Sequence, residues 1–385
     1  MIKYSIEKAP HVRSKDTTFR KMMEFLICVA AIYLAAVIFY FVKGGINYDN
    51  VTYGMYAIQN GLIGVAFSVI PDFLFNIPML FNKHLSPKER WKMYFYKIGH
   101  SYSYVSGLLL VLLLPIGPEW WEIAVTAFIS TFVMKLLFGG FGSNIFNPAI
   151  FGRVFAQICF ASDLTTYLPG ASKPNGVISA GASITSMGMT EINSNLSFFN
   201  MFFGNYYGSL GETFAFLIII AGIYLSIRKI IDYRTSLTFV GAIFLAALLV
   251  YLFGGYGANS FEFAVRFVMQ GGVLFGAVFC LTDPVTTPTS RSGRMIFALG
   301  AAIVTLAIRL YTNNPEGVAY SILLMNAFTP LIDKVLVGRT SEVRKPAIIL
   351  GCLTVTVLAI GLSFGITHPL PQTTALVSVL KEVRI

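Results

Sequence analysis

The hydrophobic residues of the chain are concentrated in long runs that short polar segments separate. A helix that crosses a lipid bilayer needs about 20 predominantly apolar residues, and fewer when the helix is broken. Eleven runs predict membrane helices at 23–42, 57–81, 101–114, 121–138, 145–160, 213–227, 237–253, 267–281, 295–310, 317–331 and 347–366. No small-residue cleavage site follows the first run, so we interpret it as a retained helix and not as a signal peptide.

The composition agrees with a membrane protein. Charged residues make up 12% of the 385 residues and the residues AVILMFWYC make up 56%, whereas a soluble domain carries about 25% charged residues. We therefore predict an all-α polytopic membrane protein that contacts lipid. The net charge of +10 would also suit a soluble nucleic-acid binder, but the hydrophobicity excludes that class, and we expect no nucleic-acid partner.

Lysine and arginine are concentrated in alternate connections between the predicted helices. Cytoplasmic loops carry the positive excess in membrane proteins. The pattern therefore predicts the N-terminus inside and the C-terminus outside. The basic segments are 1–22, 83–97, 228–234, 291–294 and 334–345.

Cysteine and histidine give no support for a metal cofactor. The four cysteines lie in apolar runs without a C-x-x-C pair, and the four histidines have no metal-ligand spacing. If the chain carries a redox group, we expect that group to be organic.

Glycine and proline interrupt the apolar runs at corresponding places in two halves of the chain. The interruptions follow the third and fourth runs and recur at the eighth and ninth. This pattern predicts that helices one to five (23–160) repeat as helices six to ten (213–333) in inverted orientation. Such segments indicate a midplane site for an ion or a cofactor. The alternative is that they are only kinks and turns.

The connection 161–212 is predicted to be external and is unusually long for a loop, which is typical of a functional segment or a linker. It contains Ser179-Ala-Gly-Ala-Ser183-Ile-Thr185, in which Gly181 would permit a tight turn that presents the Ser183 hydroxyl. A plain surface turn is the alternative. Beyond the repeats, segment 334–385 adds an eleventh helix, and an interfacial hairpin is its alternative.

Four groups of residues resemble the shared motifs of the RnfD/NqrB family, which unites the D component of Rnf complexes with the B component of Nqr complexes. They are Pro10-His11-Val12-Arg13-Ser14, the string from Gly139 to Ala149 with Gly152-Arg153, Thr282-Asp-Pro-Val-Thr-Thr-Pro288 with Gly293-Arg294, and Pro315-Glu-Gly-Val-Ala319 with Met325-Asn-Ala327. The short segment before Pro10 makes the chain more similar to RnfD. The resemblance implies a membrane component of an ion-translocating redox complex in the bacterial cytoplasmic (inner) membrane.

The resemblance also implies a covalent FMN on the external loop. Members of the family join the FMN phosphate to a Thr or Ser in a motif Asp-x-x-(Ser/Thr)-Gly-Ala-(Thr/Ser), which a flavin transferase modifies. The matching stretch places Ser183 at the acceptor position after Gly181 and Ala182, but Val177 and Ala180 depart from the motif. The electron partner implied on the same side is RnfG, the FMN-bearing component of the complex.

A second, non-covalent flavin is implied toward the inner side, where the quinone-reducing relative holds riboflavin. The candidate contacts are Gly139, Gly140, Asn144 and Asn147, because glycine permits close approach and asparagine can hydrogen-bond a ring edge. Asp283 is a further candidate at this side.

Asp283 and Thr286 are candidate ligands of Na+, since they belong to an oxygen-rich cluster at the end of an interrupted helix. The alternative roles of Asp283 are to cap a helix or to pair with Arg291 or Arg294.

Three other charged residues receive structural interpretations. We interpret Lys135 and Arg153 as interfacial anchors rather than ligands, and Glu212 as the outer start of helix six.

The sequence thus predicts an Rnf-type membrane protein that passes electrons between flavin carriers and couples the transfer to Na+ or H+ transport, as part of a translocase. It assigns no catalytic residue to the chain itself. The alternatives are the quinone-reducing NqrB and a non-redox channel or transporter of similar architecture.

Overall fold

The computed structural model of the protein describes residues 16–43, 50–81, 86–161, 164, 198–204, 209–254, 260–311, 317–336 and 344–367. Every regular element within these ranges is a helix, and no strand occurs among them. Six helices in these ranges are long and apolar enough to cross a membrane, and a bent pair makes a seventh. The predicted all-α polytopic membrane protein is therefore confirmed.

The first half of the chain supplies six helices. They are α1 (Thr18–Lys43), α2 (Asn50–Asn76), α3 (Pro87–Gly99), α4 (Ser103–Leu113), α5 (Trp120–Thr131) and α6 (Pro148–Cys159). A 3-10 turn, Ile77–Phe81, continues α2, and a π turn, Phe132–Leu136, continues α5. π turns of this kind are rare and often occur at functional sites.

The remaining described helices are α7 (Phe198–Phe203), α8 (Ala215–Ile227), α9 (Tyr233–Phe253), α10 (Ser260–Met269), α11 (Val273–Phe275), α12 (Arg291–Tyr311), α13 (Gly317–Leu336) and α14 (Arg344–Thr367). A second π turn, Gly276–Cys280, continues α11. α10 and the segment 273–280 meet at 63°. Gly271 and Gly272 form this bend with φ of 67° and 72°, values that favour glycine.

Several predicted helices are shorter than their apolar runs, and one begins elsewhere. α4 has 11 residues and α6 has 12, because Pro115 follows the end of the first and Pro148 begins the second. The eighth helix was predicted to begin at residue 267, but α10 already begins at Ser260 and the glycine bend divides the span. Hydropathy marked these elements without locating their ends.

The basic connection 83–97, predicted as a loop, is helical from Pro87 onward, because the helix α3 begins there. Its N-terminus has a capping box, in which the Ser86 hydroxyl accepts from the Glu89 backbone N–H and the Glu89 carboxylate accepts from the Ser86 backbone N–H. Tyr94 lies on its buried side and donates to the Phe73 carbonyl of α2 at 2.9 Å. α3 is therefore attached to the end of α2.

The C-terminal run forms one continuous helix of 24 residues, α14, and not a hairpin. α14 packs on α9 and α12. Gly361 and Gly365 permit the close approach, since a Cβ at either position would lie 2.8 Å from a backbone carbonyl oxygen of α9. The passage of α14 through the membrane, and the outside location of the residues after it, stay predictions.

The two halves pack in the same order. α2 packs on α4 and α5, and α9 packs on α10 and α12; α5 then packs on α6 as α12 packs on α13. α1 contacts α8, and α6 contacts α13, so the halves meet along two pairs of helices. This order agrees with the predicted repeats, whose inverted relation and boundaries stay predictions.

Candidate functional site

A cavity of about 770 Å³ lies where the start of α1, the start of α4, the π turn of α5 and the segment 279–294 meet. The connection between α8 and α9 closes its remaining side. We call the end of the molecule where this cavity lies the basic face. The size falls within the range of about 300–1,000 Å³ that is typical of small-molecule sites.

Aromatic side chains form much of the cavity wall. Phe25 and Phe279 contact each other edge to face, with ring centroids 5.6 Å apart, and Tyr102 and Phe141 do so at 4.8 Å. Tyr102 is buried at the N-terminus of α4 with φ of 54°, an uncommon value for a residue other than glycine. The walls therefore suit a flat, aromatic ligand.

Asn144 and Asn147, two of the predicted flavin contacts, are buried and both line the cavity. Their contact with a flavin stays a prediction. The Asn147 side-chain oxygen caps α6 by accepting from the backbone N–H groups of Ala149 (3.0 Å) and Ile150 (3.4 Å). Its Nδ2 donates to the Cys280 carbonyl at 3.4 Å, at the end of the second π turn. Asn147 thus links the two halves of the molecule at the cavity.

The two predicted glycines lie beside the cavity and not on its wall. Gly139 and Gly140 have φ of 109° and 92° and form the turn after the first π turn. The cavity is lined instead by Phe141, which directly follows them. Their role in this structure is to turn the chain so that Phe141 and Asn144 reach the cavity, and direct contact with a ligand stays a prediction.

Asp283 lines the cavity and caps its own turn. Its Oδ1 accepts from the Val285 backbone N–H at 3.1 Å, and its carbonyl accepts from the Thr287 hydroxyl at 2.9 Å. Arg294, one of its predicted alternative partners, instead pairs with Asp232 at 2.9 Å. The capping role therefore fits the geometry better than an ion pair with Arg294.

The proposed Na+ ligands lie close together in sequence, but only one of them lines the cavity. Thr286 is buried and is not part of the cavity wall, whereas Thr282 and Thr287 are. Among the described residues, no group of three or more His, Cys, Asp or Glu side chains could hold a metal ion. A Na+ site at Asp283 and Thr286 stays a prediction.

The cavity carries an excess of positive charge. Two acidic side chains, Asp232 and Asp283, line it together with the six basic side chains of Lys21, Lys135, Lys229, Arg234, Arg291 and Arg294. Burial alone would raise the pKa of Asp232, but hydrogen bonds from Arg294 and from the Arg234 backbone N–H lower it below its usual value. An electronegative or anionic ligand group is therefore favoured here.

Lys135 does not anchor the protein at the membrane interface, and that interpretation was wrong. It lies on the first π turn, is only 2% exposed and lines the cavity. Its Nζ donates to the Ser103 hydroxyl at 3.0 Å and lies 5.9 Å from the centroid of Phe141. A lysine inside an apolar run was the signal that could have identified it.

The family of the chain follows from a comparison with known proteins. The model of the NQR2, RnfD, RnfE family matches residues 5–342. The chain belongs to this family. The predicted resemblance is thereby confirmed, and the matched range includes every residue that lines the cavity.

Three relatives, each the D component of its complex, are similar over much of their length. The chain is 31% identical to the one from the proton-translocating ferredoxin:NAD(+) oxidoreductase complex of Clostridium ljungdahlii, over 86% of this chain and 94% of the relative. It is 30% identical to the one from the Na(+)-translocating complex of Acetobacterium woodii, over 89% and 96%. It is 36% identical to the one from the ion-translocating oxidoreductase complex of Stutzerimonas stutzeri, over 60% and 73%.

A second polar site in this family member is buried at the bend between α10 and α11. Arg153, Glu212, Gly271 and Gly272 line a cavity of about 20 Å³, roughly the space of one water molecule. Arg153 is 4% exposed and Glu212 is 6% exposed. The interpretation of Arg153 as an interfacial anchor was therefore wrong, because its side chain is in the protein interior.

Glu212 was also misplaced by the sequence. α8 begins at Ala215, so Glu212 does not start that helix but belongs to an irregular segment that packs on the end of α4. The Gly211 backbone N–H donates to the Leu112 carbonyl at 2.7 Å. From the other side of the bend, Arg309 donates to the carbonyls of Gln270 and Gly271. The backbone carbonyls at the end of α4 and after the end of α10 thus obtain hydrogen-bond donors inside the protein.

The predicted covalent flavin site lies outside the described residues. This holds for Ser183, Gly181 and Ala182, and for their neighbours in the long loop. Its modification stays a prediction.

Proposed function

We propose that the chain is the RnfD component of an Rnf-type complex in the bacterial cytoplasmic membrane, where it passes electrons between flavin carriers and couples them to ion transport. The observation that carries the proposal is the aromatic, positively charged cavity between the two halves of the molecule. The similarity to D components of such complexes over most of the chain favours RnfD over the quinone-reducing NqrB.

The residues around the cavity fit a non-covalent flavin. The cavity volume of about 770 Å³ accommodates a three-ring system, and the rings of Tyr102 and Phe141 supply apolar faces. Asn144, Asn147 and Lys135 supply polar groups to the cavity wall. A non-redox channel would not need an aromatic chamber of this kind, so the cavity favours redox chemistry.

Three features of the cavity have defined tasks in this proposal: its aromatic walls, Asn147 and its positive charge. A bound flavin supplies the electron-carrying ring. The aromatic walls exclude water, and Asn147 fixes the relative position of the two π turns through its bonds to α6 and to Cys280. The positive charge of Lys135 and of the basic rim stabilises electron density at the cavity by electrostatic attraction.

We also propose a covalent FMN on Ser183, with Gly181 and Ala182 as its turn. The resemblance of the motif supports the assignment. A flavin transferase would form the phosphoester, and RnfG would be the electron partner on the same external side. In the predicted orientation, with the N-terminus inside, this loop lies on the external side.

The transported ion is Na+ or H+. The names of two relatives with nearly equal identity to this chain differ in this respect, one being proton-translocating and the other Na(+)-translocating. Overall similarity therefore does not select the ion.

The covalent site is tested by mass and by fluorescence. The purified chain, co-expressed with the transferase, is expected to fluoresce in a denaturing gel and to gain the mass of one FMN. Ser183→Ala should lose both signals and Ser183→Thr should keep them. Retention in Ser183→Ala together with loss in Thr185→Ala would move the site, and parental signals in all variants, including Ser179→Ala, would exclude it.

The cavity is tested separately by the flavin that denaturation releases from the purified complex. Ser106→Phe places a ring inside the cavity and should abolish the released flavin, whereas Thr354→Phe on the exposed surface of α14 should leave it unchanged. Equal flavin release from both variants would refute the cavity as the binding site.

A further inference from the structure

Four buried polar side chains form a continuous hydrogen-bonded series that ends at the cavity. We call it the serine chain, and its members in order are Lys135, Ser103, Ser101 and Asp72. The distances are 3.0 Å from Lys135 Nζ to Ser103 Oγ, 3.2 Å between the two serine oxygens, and 2.8 Å from Ser101 Oγ to Asp72 Oδ1. All four residues are at most 8% exposed.

The hydrogen bonds of the serine chain run in one direction. Lysine can only donate, so Ser103 accepts from Lys135, and its own proton is free to point toward Ser101. Ser101 donates to the Asp72 carboxylate. A series of donors with one sense is the arrangement in which a proton can pass from the first member to the last.

The two ends of the serine chain lie in different surroundings. Lys135 lines the cavity, whereas Asp72 lies near the end of α2, beside the carbonyl of Phe73 that accepts from Tyr94 of α3. The second carboxylate oxygen of Asp72, Oδ2, is buried and has no hydrogen-bond partner among the described residues. Among the described residues, the Asp72 carboxylate is therefore held in the series through Oδ1.

We propose that the serine chain conducts protons between Lys135 at the cavity and Asp72 near the end of α2. In one transfer, an Nζ–H bond of Lys135 breaks and an Oδ1–H bond of Asp72 forms. Each serine oxygen accepts one proton and releases another, so the number of protons is conserved. The products are a neutral lysine and a carboxylic acid, and the reverse transfer returns a proton to Lys135.

The charges around the serine chain suit this exchange. Burial disfavours the charged form of Lys135, whereas the carboxylates of Asp72 and Asp283 attract that charge and partly offset the effect of burial. Only two hydroxyls stand between the two charged ends, that of Ser101 before α4 and that of Ser103 at its first residue, and a hydroxyl both donates and accepts. A merely structural ion pair would not need the two serines between its partners.

The relay rests on the proposed function in one respect, because the cavity must hold a redox group that takes up or releases protons. The two serines are the best positions for a test. Neither of them lines the cavity, so their replacement leaves the binding walls intact. Ser68 is the matched control, since it is a buried serine on α2 whose hydroxyl donates to the Gly64 carbonyl of its own helix.

The experiment uses the complete complex in proteoliposomes, with electron flow and proton uptake from a weakly buffered dye solution measured together. Ser101→Ala should slow both processes on the order of 100-fold, the contribution typical of positioned proton transfer. The slow step should show a larger solvent deuterium effect than the parent complex. Ser101→Thr, which keeps the hydroxyl, and Ser68→Ala should keep the parental rates.

Three results would overturn the relay. The first is a parental rate and isotope effect in Ser101→Ala and Ser103→Ala. The second is equal slowing by Ser101→Thr and Ser101→Ala, which would indicate a packing effect. The third is equal slowing by Ser68→Ala. Flavin released from each variant is measured in parallel, so that absence of flavin from the parent refutes the proposed cavity occupant, while unaltered proton uptake in Ser101→Ala refutes the relay.

Discussion

The Asn147 side chain stabilises the fold in two ways, as the N-cap of α6 and as a hydrogen-bond donor between the two halves, and different substitutions can separate these contributions. Its oxygen caps α6, and its nitrogen donates across the interface to the Cys280 carbonyl. Loss of an N-cap costs about 0.5–2 kcal/mol. Loss of a hydrogen bond between neutral groups costs about 0.5–1.5 kcal/mol, and more where a buried carbonyl is left without a partner.

Two variants of Asn147 lose different parts of this arrangement. Asn147→Ala should destabilise the protein by about 2–3 kcal/mol, because it loses the cap and the bond to Cys280. Asn147→Ser retains a capping oxygen but cannot reach Cys280, so it should lose only about 1 kcal/mol. As a control, Ser86→Ala removes the exposed cap of α3 without any bond between the halves.

The assay is unfolding of the purified protein in mixed micelles of increasing sodium dodecyl sulfate, followed by tryptophan fluorescence. If Asn147→Ser is as stable as the parent, the bond between the halves contributes nothing. If Asn147→Ser and Asn147→Ala are equally unstable, the cap contributes nothing. The released flavin should fall in both variants, because both release the second π turn from α6.

Three further predictions concern other parts of the molecule. Gly361→Leu should destabilise the protein in the same unfolding assay, because its side chain would meet a backbone carbonyl of α9, whereas Gly351→Leu has open space and should be tolerated. The pKa of Asp232 is lower in the folded protein than in the unfolded chain, so its ionised carboxylate stabilises the fold at pH values above the unfolded pKa, and this stabilisation is lost as the pH falls through the folded pKa. Arg294→Gln removes the partner of Asp232 and should weaken this acid dependence when unfolding is measured as a function of pH. A reporter fused after Ile385 should be active only outside the cytoplasm, and cytoplasmic activity would refute the eleventh span.

The sequence predicted the membrane class because hydropathy is a local property. Each apolar run contains a helix, since a buried backbone in lipid must satisfy its own hydrogen bonds. The ends of the helices were less predictable. The bend at Gly271 and Gly272, and the two π turns, depend on packing against other segments, which a count of apolar residues does not register.

The cavity could be predicted only in part, through Asn144, Asn147 and Asp283, which belong to recognisable motifs. Lys135 and Arg153 were misinterpreted because a hydropathy profile locates a charge along the chain but gives no information about its partners. In the structure, the partner of Lys135 is Ser103, 32 residues earlier.

The same reasoning explains why Asp72 was overlooked within the predicted second helix. A single acid in an apolar run of that length lowers the mean hydropathy little, yet its burial is costly unless other groups hydrogen-bond to it. Ser101, just before α4, supplies such a bond from a position 29 residues later. A charge inside a predicted membrane helix therefore implies a polar partner elsewhere in the fold. The residues that connect the two charged groups, here two serines between Lys135 and Asp72, decide whether the groups only neutralise each other or can also exchange a proton.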